Sequence, residues 1–201
     1  MRGPVAVWVV GIFVVLALAG PFVVPHDPLA TDVRVALSAP DARHWFGTDQ
    51  LGRDVLSRVV VAARVDLGIA VAAVALAVVP GTLVGAWLGY RGGWPDRVGA
   101  RLVDVLMAFP LYVLAMVIVA ALGNTVANVI AATAIVNLAF YIRLVRAEVM
   151  LRRRAAWVEA ARVSGAGEAR ILGVLVLPAV LPLVAVQASV NLGWAIMNAA
   201  G

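Results

Sequence analysis

The sequence predicts an all-α protein that crosses a membrane several times. Three observations predict it. Hydrophobic residues make up 64% of the 201 residues and charged residues only 13%, against roughly 45–50% and about 25% in soluble domains. The apolar residues gather in runs of about 20, the length that crosses about 30 Å of hydrocarbon as a helix. The arginines concentrate in alternate gaps between those runs, as the positive-inside rule predicts for a polytopic chain.

Five segments qualify as spans: Val5–Val24, Leu67–Tyr90, Leu102–Leu122, Val126–Leu144 and Leu172–Met197. The first has no small-x-small cleavage pattern at its end, so it reads as an anchor rather than a cleaved signal. The second carries Gly81, Gly85 and Gly89. Residues four apart share a helix face, so this row predicts close approach of another helix. Pro80 and Pro110 predict kinks in the second and third spans, and Pro178 and Pro182 predict the same at the start of the fifth.

All 16 basic residues are Arg. A chain without Lys has no Walker-type phosphate loop, and a chain without Cys has no disulfide or thiolate metal site. The segment Gly92–Gly99 holds Arg97 against Asp96 and is flanked by Arg91 and Arg101. Tyr141–Arg170 holds seven Arg against Glu148, Glu159 and Glu168, whereas Gly123–Thr125 is uncharged and Pro25–Arg64 balances five Arg with five Asp. The predicted topology places the N-terminus, Arg91–Arg101 and Tyr141–Arg170 in the cytoplasm, and Pro25–Arg64 and Gly123–Thr125 outside. This placement accounts for the net charge of +5, and no nucleic-acid partner is expected.

Polar residues inside apolar spans are functional candidates by default. Asp104 has Arg101 three residues before it on one helical face, and the two read as an interfacial ion pair in preference to a proton relay. Asn128, Asn137, Gln187 and Asn191 either line a polar pathway or bridge helices; the residues alone leave both open. In the outer loop, Val55, Leu56, Val59 and Val60 recur at helical spacing and predict a short amphipathic helix on the outer surface, leading into the second span. His26 and His44, with Asp27 and Asp41, read as ordinary loop residues, and no metal site is expected.

Between Ala155 and Pro178 the chain changes character. Trp157, Ala160 and Ala161 are spaced to share a face of a short helix, with Glu159 to one side. Ser164, Gly165 and Gly167 break it, and Glu168 opens a second helix that re-enters apolar sequence at Leu175-Val176-Leu177-Pro178.

This stretch resembles the EAA loop of ABC-importer permeases: Glu159-Ala160-Ala161, three residues, Gly165, nine residues, then a Leu-x-Leu-Pro in place of Ile-x-Leu-Pro. "HWFGTDQLGRDVLSR", "GYRGGWPDRVGARLVDVLMAFP" and "YIRLVRAEVM" resemble the permeases of the dipeptide, oligopeptide and nickel importers. The resemblance implies a type I importer transmembrane domain, six helices of which the last five form the core. Residues 1–63 would be the anchor helix and outer loop. Residues 64–201 would be the transmembrane domain, incomplete, with the EAA loop at about 141–178. The chain ends where such permeases continue through an outer loop and a sixth helix, so it is expected to be truncated.

The resemblance also implies a sister permease, two ATP-binding subunits, an extracytoplasmic solute-binding protein, and a bacterial or archaeal cytoplasmic membrane with its lipid. Glu159, Ala160, Ala161, Gly165, Leu175, Leu177 and Pro178 would contact the ATPase. No catalytic residue and no cofactor are expected on this chain, since ATP and Mg would sit on the partner. The rival class is an ATP-independent secondary carrier or a membrane scaffold. A carrier should show inverted repeats, and none is legible.

Overall fold

The computed structural model describes residues 3–200, with side chains from 8 to 110 and from 112 to 197. Every regular element among them is helical, and the one β feature is an isolated bridge between Thr48 and Asp54. The chain divides into two compact units, Met1–Gly68 and Ile69–Gly201.

In the first unit, α1 (Gly3–Val23) lies directly on the start of α2 (Val55–Arg91). A Cβ on Gly20 would strike the Val60 side chain. The loop between them is tied to itself. Leu37 N–H donates to the Asp49 carbonyl at 3.0 Å, Thr48 N–H to Ser38 at 3.1 Å and Val55 N–H to Gly47 at 3.1 Å. Gly47 and Gly52 both take φ of +71°, a conformation that side chains with a Cβ resist. The predicted outer-surface helix does not exist as a separate element. Its residues are the first turns of α2, which runs unbroken for 37 residues and passes through Pro80. No strong breaker separates Arg53 from the apolar run, so the helix propagates.

In the second unit the predicted third span is two helices. α3 (Gly93–Met107) stops before Pro110, and α4 (Leu111–Leu122) leaves at 86° to it. Pro110 has no N–H to donate and its ring disfavours a helical conformation at the residue before it, so the predicted kink is a corner. Then come α5 (Val126–Arg152), α6 (Ala156–Val163), the short α7 (Glu168–Arg170), a π-helical segment (Ile171–Val176) and α8 (Leu177–Ala200). Among the described residues, Val55–Arg91, Val126–Arg152 and Glu168–Met197 are long and apolar enough to cross a membrane. They become four with the α3–α4 pair counted as one, while α1 offers the shorter apolar stretch Trp8–Val23.

The core of the second unit joins α2, α5, α6, the π segment and α8. Ala77, Tyr141, Val145, Val149, Val158 and Ile171 are among its buried members. The glycine row of α2 faces α5. A Cβ on Gly81 would come within 2.6 Å of the Tyr141 Cβ, and one on Gly85 within 2.7 Å of the Ile142 carbonyl; Gly89 lies against Arg146 in the same way. Because the Gly85 neighbour is backbone, it cannot rotate aside. Gly85→Val is expected to push the helices apart and destabilise the chain by about 1–3 kcal/mol. A thermal melt in detergent reads this, and an unchanged midpoint would refute the contact.

Candidate functional site

Helix α6 is set by one anchored side chain. Val158 is fully buried in the common core, with Ala155, Ala161 and Ala166 packed against the same cluster. Residues 158 and 161 stand three apart and therefore face inward together. The predicted shared face of Trp157, Ala160 and Ala161 is thus divided. Trp157 and Ala160 are exposed beside Glu159 and Val163, and Ala161 turns inward.

The helix ends in a closed cap. Gly165 N–H donates to the Arg162 carbonyl and Ala166 N–H to the Ala161 carbonyl, both at 3.0 Å. Gly165 takes φ of +85° to make this possible. These are the two bonds of a Schellman motif, which satisfy carbonyls that would otherwise be orphaned. No atom lies within 4 Å of where a Gly165 Cβ would stand, so the requirement for glycine is conformational and not one of space.

Arg162 knits the loop to the end of α2. Its guanidinium donates to Glu159 Oε1 at 2.7 Å and to Glu168 Oε1 at 2.7 Å, and reaches the Tyr90 hydroxyl at 3.4 Å. Tyr90 in turn donates to Glu168. The Glu168 carboxylate, Tyr90 and Glu159 hold the Arg162 side chain even more firmly protonated than usual. The groups are largely exposed, so the network fixes geometry more than it adds stability. Sequence reading missed Arg162 and Tyr90. The three-residue spacing to Glu159 was a legible signal, but the contact with Tyr90, 72 residues away, was not.

Beyond the cap, Ile171 and Val176 point into the core from the π segment, while Leu175 is 37% exposed. Leu177 packs partly against the core, and Pro178, which has no N–H to donate, is exposed directly after the π segment, inside the continuous helical run Glu168–Met197. A π segment widens the helix by one residue and recurs at functional sites.

In the second unit the acid that is buried among the described residues is not Asp104. Asp96, on the first turn of α3, is buried and takes a two-pronged ion pair from Arg146 of α5, with Arg146 Nη2 at 2.9 Å from Oδ2. Arg153 adds a bond to the Tyr90 carbonyl at 3.0 Å. The predicted Arg101–Asp104 pair is replaced. Asp104 lies 4.0 Å from Arg143 of α5, and both are more than half exposed. Packing of α3 on α5 brings Arg143 across, and spacing along one helix could not reveal that.

The four polar residues of the later spans separate. Asn128 caps the turn before α5, donating to the Leu122 and Gly123 carbonyls at 2.7 and 2.8 Å. Asn191 donates to the buried Tyr141 hydroxyl at 2.9 Å, and Gln187 donates to Asn191 at 3.1 Å. Asn137 donates to Thr133 at 2.8 Å. Asn137 and Asn191 then line one cavity of about 310 Å³ with Met107, Phe109, Phe140 and Trp194. It is apolar, with two carboxamides and no charged side chain on its wall.

In the outer loop the histidines do meet. The rings of His26 and His44 lie 4.7 Å apart between centroids. Their acidic neighbour is Asp54, bonded to His44 Nδ1 at 3.0 Å. Asp27 and Asp41 instead cap turns, accepting from Leu29 N–H at 2.9 Å and from Arg43 and His44 N–H at 2.8 and 2.6 Å. The His44 and Arg43 amides hold the Asp41 carboxyl below the usual range. Burial pushes the Asp54 carboxyl up, but the Ser57 hydroxyl and amide and the His44 ring outweigh it.

Residues 81–201 match the family described as binding-protein-dependent transport system inner membrane component. The chain is 37% identical over 196 residues to the nickel transport system permease protein NikC of Escherichia coli K12, covering 98% of this chain and 71% of that one. It is 38% identical over 188 residues to the dipeptide permease protein DppC of Alkalihalophilus pseudofirmus, covering 94% and 62%. It is 35% identical over 195 residues to the glutathione permease protein GsiD of Pectobacterium atrosepticum, covering 94% and 65%. The chain thus spans 62–71% of the length of these relatives. With several apolar helices and this likeness along nearly its whole length, the chain belongs to the inner-membrane permeases of binding-protein-dependent ABC transporters.

Proposed function

We propose that the chain is a permease subunit of an ATP-driven importer that moves peptides or a related small solute, such as a metal chelate, across the cytoplasmic membrane. The N-terminus and the α5–α8 loop face the cytoplasm, where arginine is concentrated. A sister permease completes the pathway and an extracytoplasmic protein delivers the solute. Two ATP-binding subunits hydrolyse ATP, and residues 64–201 form the transmembrane domain they act on.

The observation that carries this reading is the build of α6. It exposes Trp157, Glu159, Ala160 and Val163 and roots Val158 in a core shared by α2, α5 and α8. A push on the exposed face moves a packed unit, and packed elements shift between discrete arrangements rather than bend. Glu159, Ala160, Gly165 and Leu175 form or frame the docking face; Ala161, Leu177 and Pro178 connect it to α8. The cavity holding Asn137 and Asn191 forms a stretch of the pathway wall. Its lack of charge suits uncharged parts of a solute, with the carboxamides offering donors and acceptors to peptide groups.

The test is affinity purification in mild detergent with the tag on this chain. ATP-binding subunits are expected to come with it, and to be lost from Trp157→Asp. A secondary carrier or scaffold would come without them, and that result would overturn the proposal.

A further inference from the structure

We propose that His26, His44 and Asp54 form a binding site for a first-row divalent metal ion with a taste for imidazole, such as zinc. The three side chains come from separate segments: the exit of α1, the middle of the loop and the entry to α2. Their ligand atoms all lie within 4.8 Å of one another. Two imidazole nitrogens and one carboxylate oxygen make a ligand set that such ions favour.

The geometry is partly formed already. His44 Nδ1 and Asp54 Oδ1 are 3.0 Å apart. Two ligands at about 2.1 Å from one tetrahedral ion stand about 3.4 Å apart, so this pair has nearly the right bite. An ionised carboxylate only accepts, so His44 carries its proton on Nδ1 as long as the pair is a hydrogen bond. Metal binding there moves the ring proton to Nε2.

The surroundings do what an outer shell does at metal sites. Asp54 Oδ2 accepts from the Ser57 amide and hydroxyl at 2.8 and 2.7 Å, which leaves Oδ1 aimed at the histidines. The Arg43 carbonyl lies 2.9 Å from His26 Nε2 and fixes that nitrogen as the donor, which leaves Nδ1 free to ligate. The His26 amide is tied to the Ser57 hydroxyl at 3.3 Å. The site stands within residues 1–68 and does not depend on what the α5–α8 loop binds.

The experiment is titration of the tag-free full chain in detergent with Co²⁺, whose visible absorption reports tetrahedral nitrogen and oxygen ligation, followed by displacement with Zn²⁺. One ion per chain is expected. His26→Ala removes a ligand while keeping the backbone bond to Ser57, and should weaken binding at least about tenfold with helical circular dichroism unchanged, the lower end of losses seen for metal-site residues. Asp54→Asn should weaken it too. No saturable absorption in the wild-type chain overturns the site, as does full-strength binding in His26→Ala.

Discussion

Asp96→Ala should destabilise the chain by about 3–5 kcal/mol, because it leaves the Arg146 guanidinium charged and partly buried without its partner. Asp96 is 6% exposed, and both of its oxygens are engaged by Arg146. The loss should appear as a lower denaturant midpoint in detergent and as poor accumulation in the membrane. The decisive variant is the double one, Asp96→Leu with Arg146→Met. It removes both charges, so no unpaired ion is left, and it should recover most of the loss. A double variant as weak as Asp96→Ala would mean that shape at this crossing matters, not charge compensation.

That ion pair also marks where sequence reading reached its limit. Asp96 and Arg146 are 50 residues apart, as are Tyr141 and Asn191. Nothing along the chain announces such partners. Asp104 stands out in sequence because it sits inside an apolar run, yet it is exposed, whereas Asp96, which reads as loop charge, is buried. Features written in local sequence were legible. The apolar runs predicted helices, Gly81, Gly85 and Gly89 stood on one face, and Ser164-Gly165 broke a helix. What depended on tertiary choice was not. Pro110 announced a bend but not one of 86°, because the angle follows from what α3 and α4 pack against. Val158, the anchor of α6, is one Val among many and carried no signal. His26 and His44 stand far apart in sequence, but a loop folded back on itself brings their rings together.

Gly165→Val should sharply reduce ATP-driven uptake in the assembled transporter while the chain still inserts. The cap needs φ of +85°, and a β-branched residue there costs about 1–2 kcal/mol. No contact is made or lost, since the space around the position is open. The population of loops with the Schellman bonds closed falls roughly 5–30-fold for that penalty. An unlatched cap frees Arg162 from its fixed position between Glu159 and Glu168, and α6 ceases to be a stiff lever. Gly165→Asn separates this account from a simple aversion to change, because Asn visits the left-handed region far more readily and should keep most of the activity. Glu159→Lys attacks the same device from the other side. It turns the Glu159–Arg162 attraction at 2.7 Å into repulsion and reverses a charge on the exposed face. Uptake and ATP hydrolysis measured together in proteoliposomes distinguish the outcomes. Hydrolysis that continues while uptake collapses in Gly165→Val and Glu159→Lys, with Gly165→Asn near wild type, fits a coupling lever. Wild-type uptake in both disruptive variants would remove the coupling role from this loop and leave Val158 as a packing residue only.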